Sequence, residues 1–137
     1  MRSTTFIVPQ KELKRLQAKY PFHLRDNTEK GLFGVEVAKL YLESLGATDI
    51  VIESEGIDIQ VNFNGKHVNY EVKSTVDDKV AYSKLKVSST RNHDLLVGGM
   101  EIMRISKLGK EEVDIHFLIH GEDFTLVHEP RWRLKKL

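Results

Sequence analysis

Two carboxylates, Asp58 and Glu71, fall in two stretches whose residues alternate between apolar and polar, Gly56 to Phe63 and Lys66 to Val72, and an amine, Lys73, immediately follows the second. Two acids held close together bind a hard divalent cation such as Mg²⁺ or Mn²⁺ through their oxygens. A nearby ammonium can orient or help deprotonate an attacking water, or offset charge on a pentavalent phosphate. The residue types therefore point to metal-assisted phosphodiester chemistry, provided that the chain brings the three groups together.

The intervening Asn64-Gly65 supplies the means. Asn-Gly between alternating runs is a strong hairpin signal, because a type I′ turn needs positive φ at both central residues. A two-residue loop sets Phe63 opposite Lys66, Val61 opposite Val68, Ile59 opposite Tyr70, Asp58 opposite Glu71 and Ile57 opposite Val72. Side chains alternate between the two faces. One face then carries Ile57, Ile59, Val61, Phe63, Val68, Tyr70 and Val72. The other carries Asp58, Gln60, Asn62, His67, Asn69, Glu71 and Lys73. In this register Asp58 and Glu71 are directly opposed, with Cβ atoms roughly 4.5–5.5 Å apart. Like charges so placed repel, and a bound cation would turn the cost into a gain. The competing reading is the wet side of an antiparallel sheet, which accounts for Gln60, Asn62, Asn69 and a solvated His67 at the strand end.

The elements around the hairpin follow from spacing and punctuation. A helix is expected over Lys11 to Lys19, ended by Pro21. The segment Arg25-Asp26-Asn27-Thr28 reads as a loop leading to an N-cap. A second helix runs from about Glu29 to Leu45, with Leu32, Phe33, Val37, Leu40, Tyr41 and Leu45 at helical spacing and Gly46 as its C-cap. A short extended piece covers Asp49 to Glu53. A third helix spans about Ser88 to Val97, capped by Ser88 or Ser89 and ended by Gly98-Gly99. Strands are expected over Glu101 to Ser106, Val113 to Ile119 and Phe124 to His128. Glu36 interrupts the second helix shortly after Gly31 and Gly34, small residues that permit close approach to a sheet or a phosphate. It either reaches the acidic site or pairs with Lys30 or Lys39.

Composition limits the alternatives. A chain of 137 residues, 40% hydrophobic and 30% charged, is long enough for one globular domain, expected over 1–137. No apolar run spans a bilayer, and neither a membrane partner nor a secretory signal is expected. The absence of cysteine removes thiolate metal sites and thiol nucleophiles, and fits a cytoplasmic location. Net charge is only +1, but basic residues cluster at the ends: Lys11, Lys14, Arg15 and Lys19, then Arg131, Arg133, Lys135 and Lys136. Such clusters grip phosphates or are simply solvated. No GxxxxGK[ST] loop, HExxH or nucleophile elbow is present.

Gly56-Ile57-Asp58, followed by Glu71-Val72-Lys73-Ser74-Thr75, resembles the PD-(D/E)xK nuclease superfamily. The helix Lys30-Gly31-Leu32-Phe33-Gly34-Val35-Glu36 is similar to the glutamate-bearing helix of its small members, such as archaeal Holliday-junction resolvases. Tyr70 to Thr75 with Lys86-Val87-Ser88-Ser89 also resembles the NO VEIN C-terminal-like branch. The family's proline before the aspartate is replaced here by Ile57. The resemblance implies an α/β, restriction-endonuclease-like αβββαββ core with a central mixed sheet flanked by helices. It implies Mg²⁺ or Mn²⁺ held by Asp58, Glu71 and the Val72 carbonyl, Lys73 near the attacking water, and Glu36 assisting. It further implies DNA as partner, phosphodiester hydrolysis and a homodimer. Ser74, Lys84, Lys86, Ser89, Arg91 and Asn92 are the candidates for phosphate contact, Ser89 being equally well placed as a plain N-cap. The alternatives are a catalytically inactive nucleic-acid-binding module of the same fold, or a structural subunit that uses this surface for docking.

Overall fold

A computed structural model describes residues 1–21, 27–54, 57–129 and 131–137. The elements in chain order are β1 (Arg2–Ile7), α1 (Gln10–Lys19), α2 (Asn27–Ser44), β2 (Thr48–Ser54), β3 (Ile57–Phe63), β4 (Lys66–Ser74), β5 (Lys86–Val87), α3 (Thr90–Val97), β6 (Glu101–Ser106), β7 (Glu112–Leu118), β8 (Phe124–Glu129) and β9 (Arg131–Lys136). The architecture is mixed α/β. Six strands form one mixed sheet in the order β1-β7-β6-β4-β3-β2, and β5-β9-β8 form a second, antiparallel sheet. Within the large sheet only β4 and β6 run parallel, with α3 in the connection between them. A parallel neighbour cannot be reached by a tight turn, so the chain must cross over, and the crossover carries the helix.

Burial explains the layers. Ile59, Val61, Tyr70, Val72, Met103, Ile105, Val113, Ile115 and Phe117 pack on one side of the large sheet with Phe33, Val37, Ala38 and Leu42 of α2 and Leu16 of α1. A second core lies among Leu85, Val87, Leu96, Ile102, Leu118, Phe124 and Leu134. β6 feeds both cores, Met103 and Ile105 into the first and Ile102 into the second. A strand buried on both faces reads as a near-continuous apolar run, as Glu101–Ser106 does. Ile115 and Phe117 are core residues.

Several expectations are corrected. Leu45 lies beyond the end of α2 and is 54% exposed. The N-terminal residues form β1, which lines the edge of the large sheet against β7. The basic C-terminal stretch is strand β9, paired along its length with β8. Of the expected loop before α2, Asn27 and Thr28 are already helical, while Arg25 and Asp26 lie outside the described residues, as does Gly56 of the hairpin. No described helix is long and apolar enough to cross a membrane.

Candidate functional site

The β3–β4 hairpin has the register that Asn64-Gly65 dictates. Asn64 and Gly65 have φ of 50° and 83°, both in the left-handed region. The ladder runs from Phe63–Lys66 through Asn62–His67, Val61–Val68 and Gln60–Asn69 to Ile59–Tyr70, and there it stops. The expected ladder pairs Asp58–Glu71 and Ile57–Val72 do not form. From Tyr70 onward β4 pairs with β6. Alternate pairs in an antiparallel ladder exchange hydrogen bonds, so a continued register would give the Val72 N–H to the Ile57 carbonyl. Instead that N–H donates to Asp58 Oδ2 at 2.8 Å. Ile57 also leaves the apolar face of its strand and packs into the second core. The hairpin forks at the acidic residues, and the Asp58 side chain caps the fork.

The acids remain neighbours across that fork. Glu71 is only 4% exposed and lies beside Asp58. Burial comes first in pushing both carboxyls above the usual carboxylate range; for Glu71 the charge of Asp58 adds to it. The Val72 N–H and Lys73 oppose the shift at Asp58 without overcoming it. Lys73 Nζ lies 3.3 Å from Glu71 Oε1. Glu71 Oε2 is buried and accepts no hydrogen bond among the described residues. One amine thus serves two buried acids that lie within hydrogen-bonding reach of each other, and no donor of the protein reaches Glu71 Oε2 among the described residues.

The pair opens onto a cleft of about 760 Å³, whose walls include Lys30, Gly31 and Val35 of α2, Glu53 of β2, Ser74 of β4, Lys84, Lys86 and Arg104. α2 can form its wall because Gly34 lies against β4. A Cβ at Gly34 would stand 2.7 Å from the Ser74 Cβ and overlap its hydroxyl. That hydroxyl donates to the Lys30 carbonyl at 3.0 Å and ties helix to strand.

The structure brings together Asp58, Glu71, Val72, Lys73, Ser74, Lys84 and Lys86. It does not bring Glu36. That side chain turns to α1, where Arg15 Nη1 lies at 3.2 Å and Lys19 Nζ at 3.3 Å. Burial raises its pKa, but hydrogen bonds from Tyr20, Arg15 and Lys19 together outweigh burial and hold the carboxyl below its ordinary value. Its partners are therefore neither the Asp58–Glu71 pair nor Lys30 or Lys39. The sequence treats Lys11–Lys19 as a solvated or phosphate-gripping cluster, whereas two of its cations are committed to Glu36. Ser89, Arg91 and Asn92 are not among the cleft residues. Ser89 Oγ accepts from the Asn92 N–H at 3.1 Å, the plain N-cap of α3. His67 is exposed at the strand end, as its solvated reading expects.

Two cleft residues escape a reading of the sequence. Glu53, next to last in β2, has φ of 53°, a sparsely populated conformation for a side chain of its kind, and its charge raises Asp58 further. Arg104 lies directly across from Lys73 in the parallel β4–β6 ladder, and is 2% exposed. Its sequence signal is a lone charge in the apolar run Ile102 to Ile105.

Among the described residues, no three His, Asp or Glu side chains converge as a ready ligand cluster. Asp58 and Glu71 are nonetheless a donor set that Mg²⁺ accepts, since it is commonly held by one or two carboxylates with waters and phosphate oxygens completing the shell. The unpartnered Glu71 oxygen fits such a cation. Comparison with known proteins finds no matching family model, no matching curated protein and no matching solved structure.

Proposed function

We propose that this chain is a divalent-metal-dependent endonuclease that hydrolyses phosphodiester bonds in DNA. The observation that carries the reading is the buried Asp58–Glu71 pair at the cleft wall, served by one lysine and retaining one unpartnered oxygen. The order α2-β2-β3-β4-α3-β6-β7 supports it, as the αβββαββ order of the restriction-endonuclease-like fold that the motif resembles. The chain's homodimeric state rests on the same resemblance alone.

Asp58 and Glu71 would hold Mg²⁺ or Mn²⁺, which supplies Lewis acidity toward the phosphate and a more acidic water. The remaining roles belong to the protein. Asp58 is fixed by the Val72 N–H, so one of its oxygens is positioned before any ligand arrives. Lys73, one-third exposed, faces both the acids and the cleft. Its ammonium would orient the attacking water and lie against charge that develops on the phosphate. Water oxygen forms the new bond to phosphorus, the bond to one sugar oxygen breaks, and that oxygen leaves with a proton.

The test is cleavage of linear, branched and single-stranded DNA, and of RNA, with Mg²⁺ or Mn²⁺. Asp58→Ala and Lys73→Ala are expected to lower the rate by roughly 10²–10⁴-fold. Absence of metal-dependent cleavage of every substrate, or full activity in Asp58→Ala, defeats the reading. The position of Glu36 away from the cleft favours a second one, a nucleic-acid-binding module with incomplete catalytic machinery. That module would bind the same substrates and cut none.

A further inference from the structure

Arg104 is the most deeply buried cation among the described residues, and the hydrolytic site as described does not use it. Its Nε donates to the Val80 carbonyl at 2.7 Å. Its Nη2 is buried and has no hydrogen-bond partner among the described residues. The acid whose charge acts on it, Asp77, is already engaged by Lys84 Nζ at 2.6 Å and Thr75 Oγ1 at 3.1 Å. No carboxylate forms an ion pair with the guanidinium among the described residues. Burial alone drives its pKa down, to about 10.

An isolated buried charge is costly, and the cost falls when a counter-ion with matching hydrogen-bond geometry sits against it. Arg104 also stands directly across from Lys73 in the β4–β6 ladder, two residues along β4 from Glu71. The cleft walls include Arg104, Lys73, Lys84 and Lys86 together. A guanidinium offers a planar fork of donors that matches two oxygens of a phosphate.

We propose that Arg104 forms the floor of a phosphate subsite next to the acidic pair, with Lys84 and Lys86 on its rim, and that its occupant is a backbone phosphodiester of the bound strand. The proposal rests on the nucleic-acid reading of the same cleft, and deepens it by separating strand binding from hydrolysis. The acidic pair would hold the cation, and the basic floor would set where along the strand the cation acts.

The experiment measures binding of a short DNA duplex to the full chain in EDTA, where cutting is prevented, over a series of salt concentrations. Arg104→Gln is expected to weaken binding by roughly 5- to 100-fold and to reduce the slope of log affinity against log salt by about one. Lys86→Ala, altered at the rim, is expected to reduce the slope by about one. If Arg104→Gln does not fold, the wild-type Arg104 Nε–H resonance gives the answer, since the duplex must shift it. Wild-type affinity and slope in a folded Arg104→Gln, or an Arg104 resonance indifferent to the duplex, overturns the subsite. A site that takes inorganic phosphate but no duplex overturns the backbone assignment. A chain that cuts nothing yet loses binding with Arg104→Gln upholds the subsite and removes only the hydrolytic reading.

Discussion

Two acidic centres lie on either side of α2, and they are built in opposite ways. Glu36 is met by Arg15, Lys19 and Tyr20, and its carboxyl is held below its ordinary pKa. Asp58 and Glu71 are met by one lysine, and both carboxyls are pushed above theirs. Glu36 therefore helps to hold α1 against α2. The acidic pair costs the fold stability whenever both members are ionised. A protein that satisfies one acid with three partners and leaves two others short of cations is storing demand for positive charge at one place. That difference separates a structural centre from a candidate functional one more clearly than residue type does.

The largest effect on this contrast is expected from Gly34, which sets how closely α2 approaches the pair. Helix propensity alone makes Gly34→Ala stabilising by about 1 kcal/mol. Overlap with Ser74 reverses the sign, and Gly34→Val is expected to cost about 1–3 kcal/mol by overpacking. Chemical denaturation measures both. Adding Ser74→Gly to Gly34→Ala should recover stability, because the atoms that the new Cβ meets belong to that side chain. A stabilised Gly34→Ala single variant would show that α2 is not pinned there.

Next in size is the acidic pair itself. A carboxyl whose folded pKa lies above its unfolded value destabilises the fold above the folded pKa, and the cost fades as pH falls through it. Asp58→Asn and Glu71→Gln are thus each expected to raise metal-free stability at neutral pH by about 1 kcal/mol, or about 3–5 °C in Tm. The gain should shrink toward acid pH as the wild-type pair takes up its proton. Thermal melts across pH would show it, and variants that melt below wild type at neutral pH would contradict the repulsion.

The smallest effect is expected at Glu36. Its folded pKa is lowered, so its contribution is present above the unfolded value and is lost as pH falls through the folded one. Glu36→Gln should cost about 0.5–1 kcal/mol at neutral pH and nothing in acid, the reverse of Asp58→Asn. The proposed nuclease activity should stay within about twofold of wild type, since Glu36 does not reach the cleft. A large loss of activity with unchanged stability would return Glu36 to the site.

Much of this was legible in the chain because local rules and tertiary structure agree. Asn64-Gly65 specifies its turn, alternation specifies the faces, and together they give five consecutive ladder pairs correctly. Ser89, Gly46 and Gly99 punctuate helices where their chemistry suggests, the two glycines with positive φ. Failures occur where distant segments decide. The hairpin register breaks at Asp58 because β6, some thirty residues on, takes β4 as its partner. The Glu36 partners come from α1, and no spacing within α2 reveals them. Arg104 is a lone arginine in an apolar strand, a signal that gains meaning only when Lys73 is found beside it. Strand β1 lacks the clean alternation that marks the hairpin and is fixed by a neighbour far away in the chain, whereas β9 does alternate Trp132 and Leu134 with basic residues, a signal masked by its run of positive charge.

The contrast between the two acidic centres is tested most directly by titrating Mg²⁺ or Mn²⁺ into the metal-free chain by calorimetry at neutral pH, with Asp58→Asn, Glu71→Gln and Glu36→Gln alongside. Binding to wild type and to Glu36→Gln, with loss in both Asp58→Asn and Glu71→Gln, is the expected result. Binding that survives both cleft substitutions, or no binding to wild type at millimolar metal, would show that the buried pair is not a cation site.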